Sequence, residues 1–177
     1  MKRIRLLSLI VVIAAALHFT SSAEAQYWPV RGFGNGVYTP NAAGTGGDYE
    51  GTGLSTVLGF SRFVGTVEIT GVDPNNSNIL YWQNRGQGTA DEEFQINRTF
   101  FGNLKSRVSG QVTLIPMDPA GTTFTAVWTG QFEFVGGTGF YRNASGFADV
   151  VAVNLPFQLT DPEWDFLWSW EGKMRLR

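Results

Sequence analysis

The chain contains no cysteine, and its single histidine is His18. Without thiols there is no disulfide staple, no thiolate nucleophile and no thiolate-ligated metal. Long apolar runs are missing too. Residues 6–17 form a run of about twelve, whereas a bilayer-spanning helix needs about twenty. That run follows Lys2, Arg3 and Arg5 and precedes Ser21, Ser22 and Ala23-Glu24-Ala25, the three-part layout of a secretory signal peptide. The expected consequences are export to a periplasm or the cell exterior, cleavage near Ala25, and no membrane span in the mature chain.

Removing 25 of the 177 residues leaves 152 and takes His18 with them. A mature chain without His or Cys excludes triads with a histidine base, His-ligated zinc or copper, and thiol chemistry. Carboxylates, Arg, Lys, Tyr and hydroxyls remain, and no cofactor or metal is expected. Charge is sparse, at 16% of residues. Three of the 13 basic and one of the 15 acidic residues lie in the leader, so ten basic residues face fourteen acidic ones. A mildly acidic balance argues against nucleic acid or anionic lipid as a partner. A chain of this size buries a stable core as one domain without crosslinks.

Residues 26–47 are rich in Gly, Pro, Asn and Thr and lack periodicity, which reads as an arm or long loop pinned by its aromatics. Residues 48–177 read as the folded domain. From Tyr49 onward, period-two alternation recurs. Phe124, Ala126, Trp128, Gly130, Phe132 and Phe134 alternate with mostly polar residues, as in a strand with one buried face. Phe147, Val151, Val153, Leu155, Phe157 and Leu159 form a second apolar row, with Pro156 marking an edge or strand end. Further strands are expected at 54–60, 63–72, 79–84, 94–101, 108–115 and 164–174. Turn signals separate them at 71–76, 84–86, 118–121 and 136–137. The fold class is all-β: about eight strands on short connections favour an antiparallel β-barrel, with a sandwich as the alternative.

The segment Gly136-Gly137-Thr138-Gly139-Phe140-Tyr141-Arg142-Asn143-Ala144-Ser145-Gly146-Phe147-Ala148 resembles the signature of plant dirigent proteins. Together with Asn154-Leu155-Pro156-Phe157 and the closing aromatic strand, it also resembles allene oxide cyclases and bacterial secreted proteins that carry the same hairpin. The segment Gly53-Leu54-Ser55-Thr56-Val57-Leu58-Gly59 resembles their first core strand. The resemblance implies an eight-stranded, calycin-type barrel of the allene oxide cyclase and dirigent type, often trimeric, and carries no catalytic residue to this chain. Physically, Gly136, Gly137 and Gly139 permit a tight turn, Thr138 can bond a nearby amide, and Tyr141 would start the next strand inward.

Four aromatics of one phase, Trp164, Phe166, Trp168 and Trp170, make a continuous wall. With Trp128 they are either barrel core or a stacking surface for an apolar or aromatic ligand. Arg98 shares the phase of Phe94, Ile96 and Phe100, so an inward Arg98 would need a ligand anion or a carboxylate, Glu68 or Glu133, with Tyr81 beside it. Alternatively, a bulge turns Arg98 outward or it sits at the barrel mouth. The acidic run Asp91, Glu92 and Glu93 and the Asp73 turn lack the spacing of a calcium loop. Asn75, Asn97 and Asn143 head glycosylation sequons that carry no meaning in a bacterial protein. Three functional classes follow: a binding barrel that holds a small apolar or aromatic molecule within it or at its mouth, a cyclase or coupling enzyme that steers a reactive intermediate, and a structural, oligomeric barrel with a filled interior. The size of the interior separates them, because a small-molecule site needs about 300 Å³ or more.

Overall fold

The computed structural model describes residues 26–84 and 93–176. These residues form one antiparallel sheet of ten strands: β1 (Tyr27–Pro40), β2 (Gly46–Ser55), β3 (Gly59–Asp73), β4 (Asn76–Asn84), β5 (Gln95–Thr99), β6 (Gly102–Pro116), β7 (Thr123–Gly137), β8 (Ser145–Asn154), β9 (Phe157–Gln158) and β10 (Trp164–Arg175). A single 3-10 turn, Gly139–Tyr141, interrupts the β7–β8 connection. Among the described residues no helix is long and apolar enough to cross a membrane.

The pairings return on themselves. The succession β1, β2, β3, β4, β6, β7, β8, β10 leads back to β1, because β10 pairs with β1 along Tyr27–Tyr38. β4 and β5 share one place in this ring. β5 pairs with the first part of β3 and of β6, and β4 with the later part of each. Closing the succession leaves no long unpaired edge to recruit another chain.

The stretch read as an arm is β1, bonded on both sides, so that expectation is corrected. Its inward positions are Val30, Gly32, Gly34, Gly36 and Tyr38. Three glycines in the buried phase erase the hydrophobic alternation that marks a strand. They are there because the neighbouring strand supplies the bulk: Gly32, Gly34 and Gly36 lie opposite Trp170, Trp168 and Phe166 of β10. A Cβ on Gly32 would stand 2.3 Å from Trp170 Nε1, and one on Gly36 would stand 2.5 Å from Phe166 Cζ. Each large ring removes about 150–250 Å² from water, a gross gain of about 4–6 kcal/mol before entropy.

Three further expectations change. Residues 54–60 are the end of β2, a turn and the start of β3, with Leu58 N bonded to Ser55 Oγ at 2.9 Å. The apolar row of β8 faces outward: Phe147, Val151 and Val153 are exposed, while Ala148 and Asn154 are buried and Ala152 is half-buried. Ala152 lies between Trp168 and Trp128 in register, and Ala148 beside Phe132 and Gly172, so the enclosed side has room for small residues only. Tyr141 belongs to the 3-10 turn rather than to β8, and is fully buried with its hydroxyl 3.4 Å from Val57 O.

The glycine turn itself matches its physical reading. Gly139 has φ +58°, and Thr138 Oγ1 accepts from Asn103 N at 3.0 Å. The strands expected at 63–72, 79–84, 94–101, 108–115 and 164–174 fall on β3, β4, β5, β6 and β10. The turn signal at Arg85 and Gly86 and the acidic residues Asp91 and Glu92 lie outside the described residues.

Candidate functional site

The enclosed face of the ring is an aromatic stack. Trp164, Phe166, Trp168 and Trp170 point inward from β10, in the phase that their alternation predicts. Trp164 stacks on Phe157 at 4.1 Å and packs on Tyr38 at 5.2 Å. Tyr38 meets Trp128 at 5.5 Å, and Trp128 meets Trp82 edge-on at 5.5 Å. Farther along, Phe63 packs edge-on to Trp168 at 5.2 Å, Trp168 stacks on Trp170, and Trp170 is gripped by Phe132 and Phe134. Offset and edge-on contacts of this kind add stabilisation beyond area burial.

What remains open between these rings is a cavity of about 70 Å³, bounded by Tyr38, Phe63, Trp82, Trp128, Phe166 and Trp168 with Tyr49 and Gln95 at its polar side. Liquid water takes about 30 Å³ per molecule. The space therefore suits a molecule of a few atoms and falls well short of the ~300 Å³ of a small-molecule pocket.

The polar side of the cavity is a bonded cluster that periodicity does not reveal. Tyr49 donates from its hydroxyl to Gln95 Oε1 at 3.1 Å, and Gln95 Nε2 donates to Asn97 Oδ1 at 2.8 Å. Asn84 Nδ2 donates to the Tyr49 oxygen at 3.3 Å and to Thr66 O at 3.0 Å, while Asn84 Oδ1 accepts from Val108 N at 2.6 Å. Burial pushes the Tyr49 phenol up, opposed in part by the Asn84 bond, and burial followed by Asp48 pushes Tyr38 up to about 12. Both stay neutral donors at any physiological pH.

A second buried amide, Asn154, accepts from Trp128 Nε1 at 2.6 Å and donates to the carbonyls of Trp164 and Asp165. The indole N–H groups of Trp82, Trp164, Trp168 and Trp170 and the Ser106 hydroxyl have no partner among the described residues. An unpaired buried group of this type costs about 1–3 kcal/mol, which the aromatic packing outweighs.

The charged residues singled out in the sequence stand elsewhere. Gln95 and Asn97 take the inward phase of β5, so Arg98 is exposed on the outer face, as are Glu68 and Glu133. Phe94 and Ile96 share this outer phase, and the Phe94 ring lies under the cationic ends of Lys105 and Arg107, each at 5.4 Å. Glu133 pairs with Arg107 at 3.7 Å. Tyr81 is exposed and donates to Asp73 Oδ2 at 2.8 Å, a bond that raises the phenol and helps lower the carboxylate. Asp73 also accepts from Asn75 N and Asn76 N, so it organises the β3–β4 turn. Trp128, Trp164, Trp168 and Trp170 are thus brought together, while Arg98, Glu68, Glu133 and Tyr81 are not.

Outside, β8, β10, β1 and β2 carry apolar side chains in neighbouring rungs. Leu167 lies opposite Val153, and Phe33 lies between Leu54 and Ser169, which in turn faces Val151. Phe33, Leu54, Val151, Val153 and Leu167 are all exposed. The Arg31–Glu171 ion pair, at 2.8 Å, and Asp149 border this strip.

No protein-family model, curated protein or solved structure matches the chain in comparison.

Proposed function

We propose that the ring is a closed antiparallel barrel of the allene oxide cyclase and dirigent type, exported by its leader, and that it works as a structural module through its outer surface. The observation that carries this reading is the filled interior: about 70 Å³ between packed rings. Packed rings of this kind support reading the aromatic wall as core, and leave the enclosed space to a molecule of a few atoms. The charge pair expected of a coupling enzyme is not on the enclosed side: Arg98, Glu68 and Glu133 all stand on the outer face.

The outer strip supplies the complementary half of the proposal. Phe33, Leu54, Val151, Val153 and Leu167 lie side by side across four strands, with both signs of charge at the border. Such a strip is self-complementary and fits a second copy of the chain. The family resemblance implies three copies.

Sedimentation velocity on the chain from Gln26 tests this. The expected result is an oligomer that Leu167→Lys together with Val153→Lys converts to a folded monomer. A wild-type protein that stays monomeric at tens of micromolar overturns the proposal.

A further inference from the structure

Net charge conceals how the charges are distributed. Antiparallel pairing brings the β2–β3, β5–β6 and β7–β8 connections, the start of β1 and the finish of β10 to one end of the ring. Every described lysine and arginine stands in the half of the ring nearer this end. Arg62 and Arg98 sit directly opposite each other on β3 and β5, both exposed. Like charges in that position repel, and neither forms an ion pair with a described carboxylate. Arg142, Lys173 and Arg175 complete the basic end.

Asp73, Asp118 and Asp161 lie at the opposite end, where no basic residue is described, while Asp48, Glu50 and Glu163 line a groove that reaches Arg98. Of the carboxylates nearer the basic residues, Glu133 and Glu171 are matched by Arg107 and Arg31, Asp149 accepts from Gln131, and Glu93 lines a groove with Arg107. Basic residues thus predominate toward one end of the ring and acidic residues toward the other.

The basic end also holds strongly exposed aromatics. Phe100 is 94% exposed, Phe101 62% and Phe140 57%. Folding alone gives no reason to place three phenylalanines on adjacent connections in water. They are held there: Thr99 Oγ1 donates to Gly102 O at 2.9 Å and accepts from Phe101 N at 3.1 Å, and Phe140 N donates to Phe101 O at 3.0 Å. Tyr27 and Trp28 are half-exposed at the start of β1, opposite Arg175 and Met174.

We propose that this end docks onto an anionic lipid bilayer, with Phe100, Phe101 and Phe140 entering the acyl boundary and Arg62 and Arg98 meeting phosphate headgroups. Apolar tips ringed by cations fit the two layers of such a surface in order of depth, with Tyr and Trp at headgroup level. The acidic end then faces away from the membrane by repulsion. This placement is independent of the apolar strip on β8, β10, β1 and β2, so docking and self-association can fail separately.

Flotation with lipid vesicles tests the inference. The chain should begin at Gln26, which retains every described strand pairing and leaves out the apolar residues 6–17 that would bind lipid by themselves. Expected is flotation with phosphatidylcholine vesicles containing 30% phosphatidylglycerol, little with phosphatidylcholine alone, and loss of binding in high salt. At about fivefold per arginine, Arg62→Gln with Arg98→Gln should weaken binding about thirtyfold. Phe100→Ser with Phe101→Ser should abolish flotation, while Met117→Ser, exposed at the acidic end, should leave it unchanged; circular dichroism should show all variants folded. No flotation with anionic vesicles, equal flotation with neutral ones, or retention only on an acidic polysaccharide would overturn the proposal.

Discussion

Gly32→Ala is the smallest change that interrogates the packing. The added carbon would meet Trp170 Nε1 at 2.3 Å and Cε2 at 2.6 Å, well inside the roughly 3.5 Å of favourable carbon contact. Trp170 cannot withdraw. It is 5% exposed, with Phe132 at 6.0 Å, Phe134 at 5.8 Å and Trp168 stacked on its other side. Overpacking of this kind costs about 1–3 kcal/mol, which for a chain of this size lowers the melting temperature by about 3–9 °C. Gly71→Ala is the control. Its nearest neighbour would be Tyr81 Cδ2 at 3.8 Å, so it should be neutral or stabilise by up to about 1 kcal/mol through the unfolded chain. Trp170→Phe leaves a smaller ring with room to move, so the double variant Gly32→Ala/Trp170→Phe should recover about 1 kcal/mol relative to additivity. Urea unfolding of the four variants and the wild type, followed by circular dichroism, measures these differences. Additive effects, or a Gly71→Ala loss as large as that of Gly32→Ala, would refute the claim that glycines on β1 exist to seat the rings of β10.

Asn154→Ala leaves the Trp128 indole unpaired and removes the side-chain bonds to the carbonyls of Trp164 and Asp165, the latter still accepting from Leu155 N, so a loss of about 2–4 kcal/mol is expected by urea midpoint; a loss under about 1 kcal/mol would show that Asn154 does not hold β7 to β10. At alkaline pH the sign follows from Tyr38. Its folded pKa, raised by burial and then by Asp48 to about 12, lies above its unfolded value near 10, so its contribution is complete below about pH 10 and is lost as pH climbs to about 12. Urea midpoints across that window should fall less steeply for Tyr38→Phe than for the wild type, and parallel slopes would place Tyr38 in contact with solvent.

Alternation located most of the strands because their enclosed positions are filled by large rings, as Phe132 and Phe134 show on β7 and Trp168 and Trp170 on β10. It failed where bulk and space are traded between strands. On β1 the enclosed phase is Gly32, Gly34 and Gly36, and on β8 it is Ala148 and Ala152. Each is small because a residue distant in sequence is large, a relation that a scan along one strand does not contain. The same limit explains the reversal of phase on β8: Val151 and Val153 advertise a buried face and lie outside.

β5 failed for another reason. Phe94, Ile96 and Arg98 look like the buried phase, yet the hydrogen bonds that Gln95 and Asn97 make with Tyr49 and with each other favour the opposite face. Of the eight residues first singled out, the four tryptophans were legible because large aromatics dominate enclosed space. The placement of Arg98 depended on β-pairing that only the folded chain reveals.

The seam between β1 and β10 joins the first strand to the last, with Gly32 beside Trp170. The ring cannot return to β1 until β10 is in place, since that strand supplies both the last pairing and much of the aromatic filling. Assembly must therefore wait for the whole chain and proceed slowly through contacts of high sequence separation.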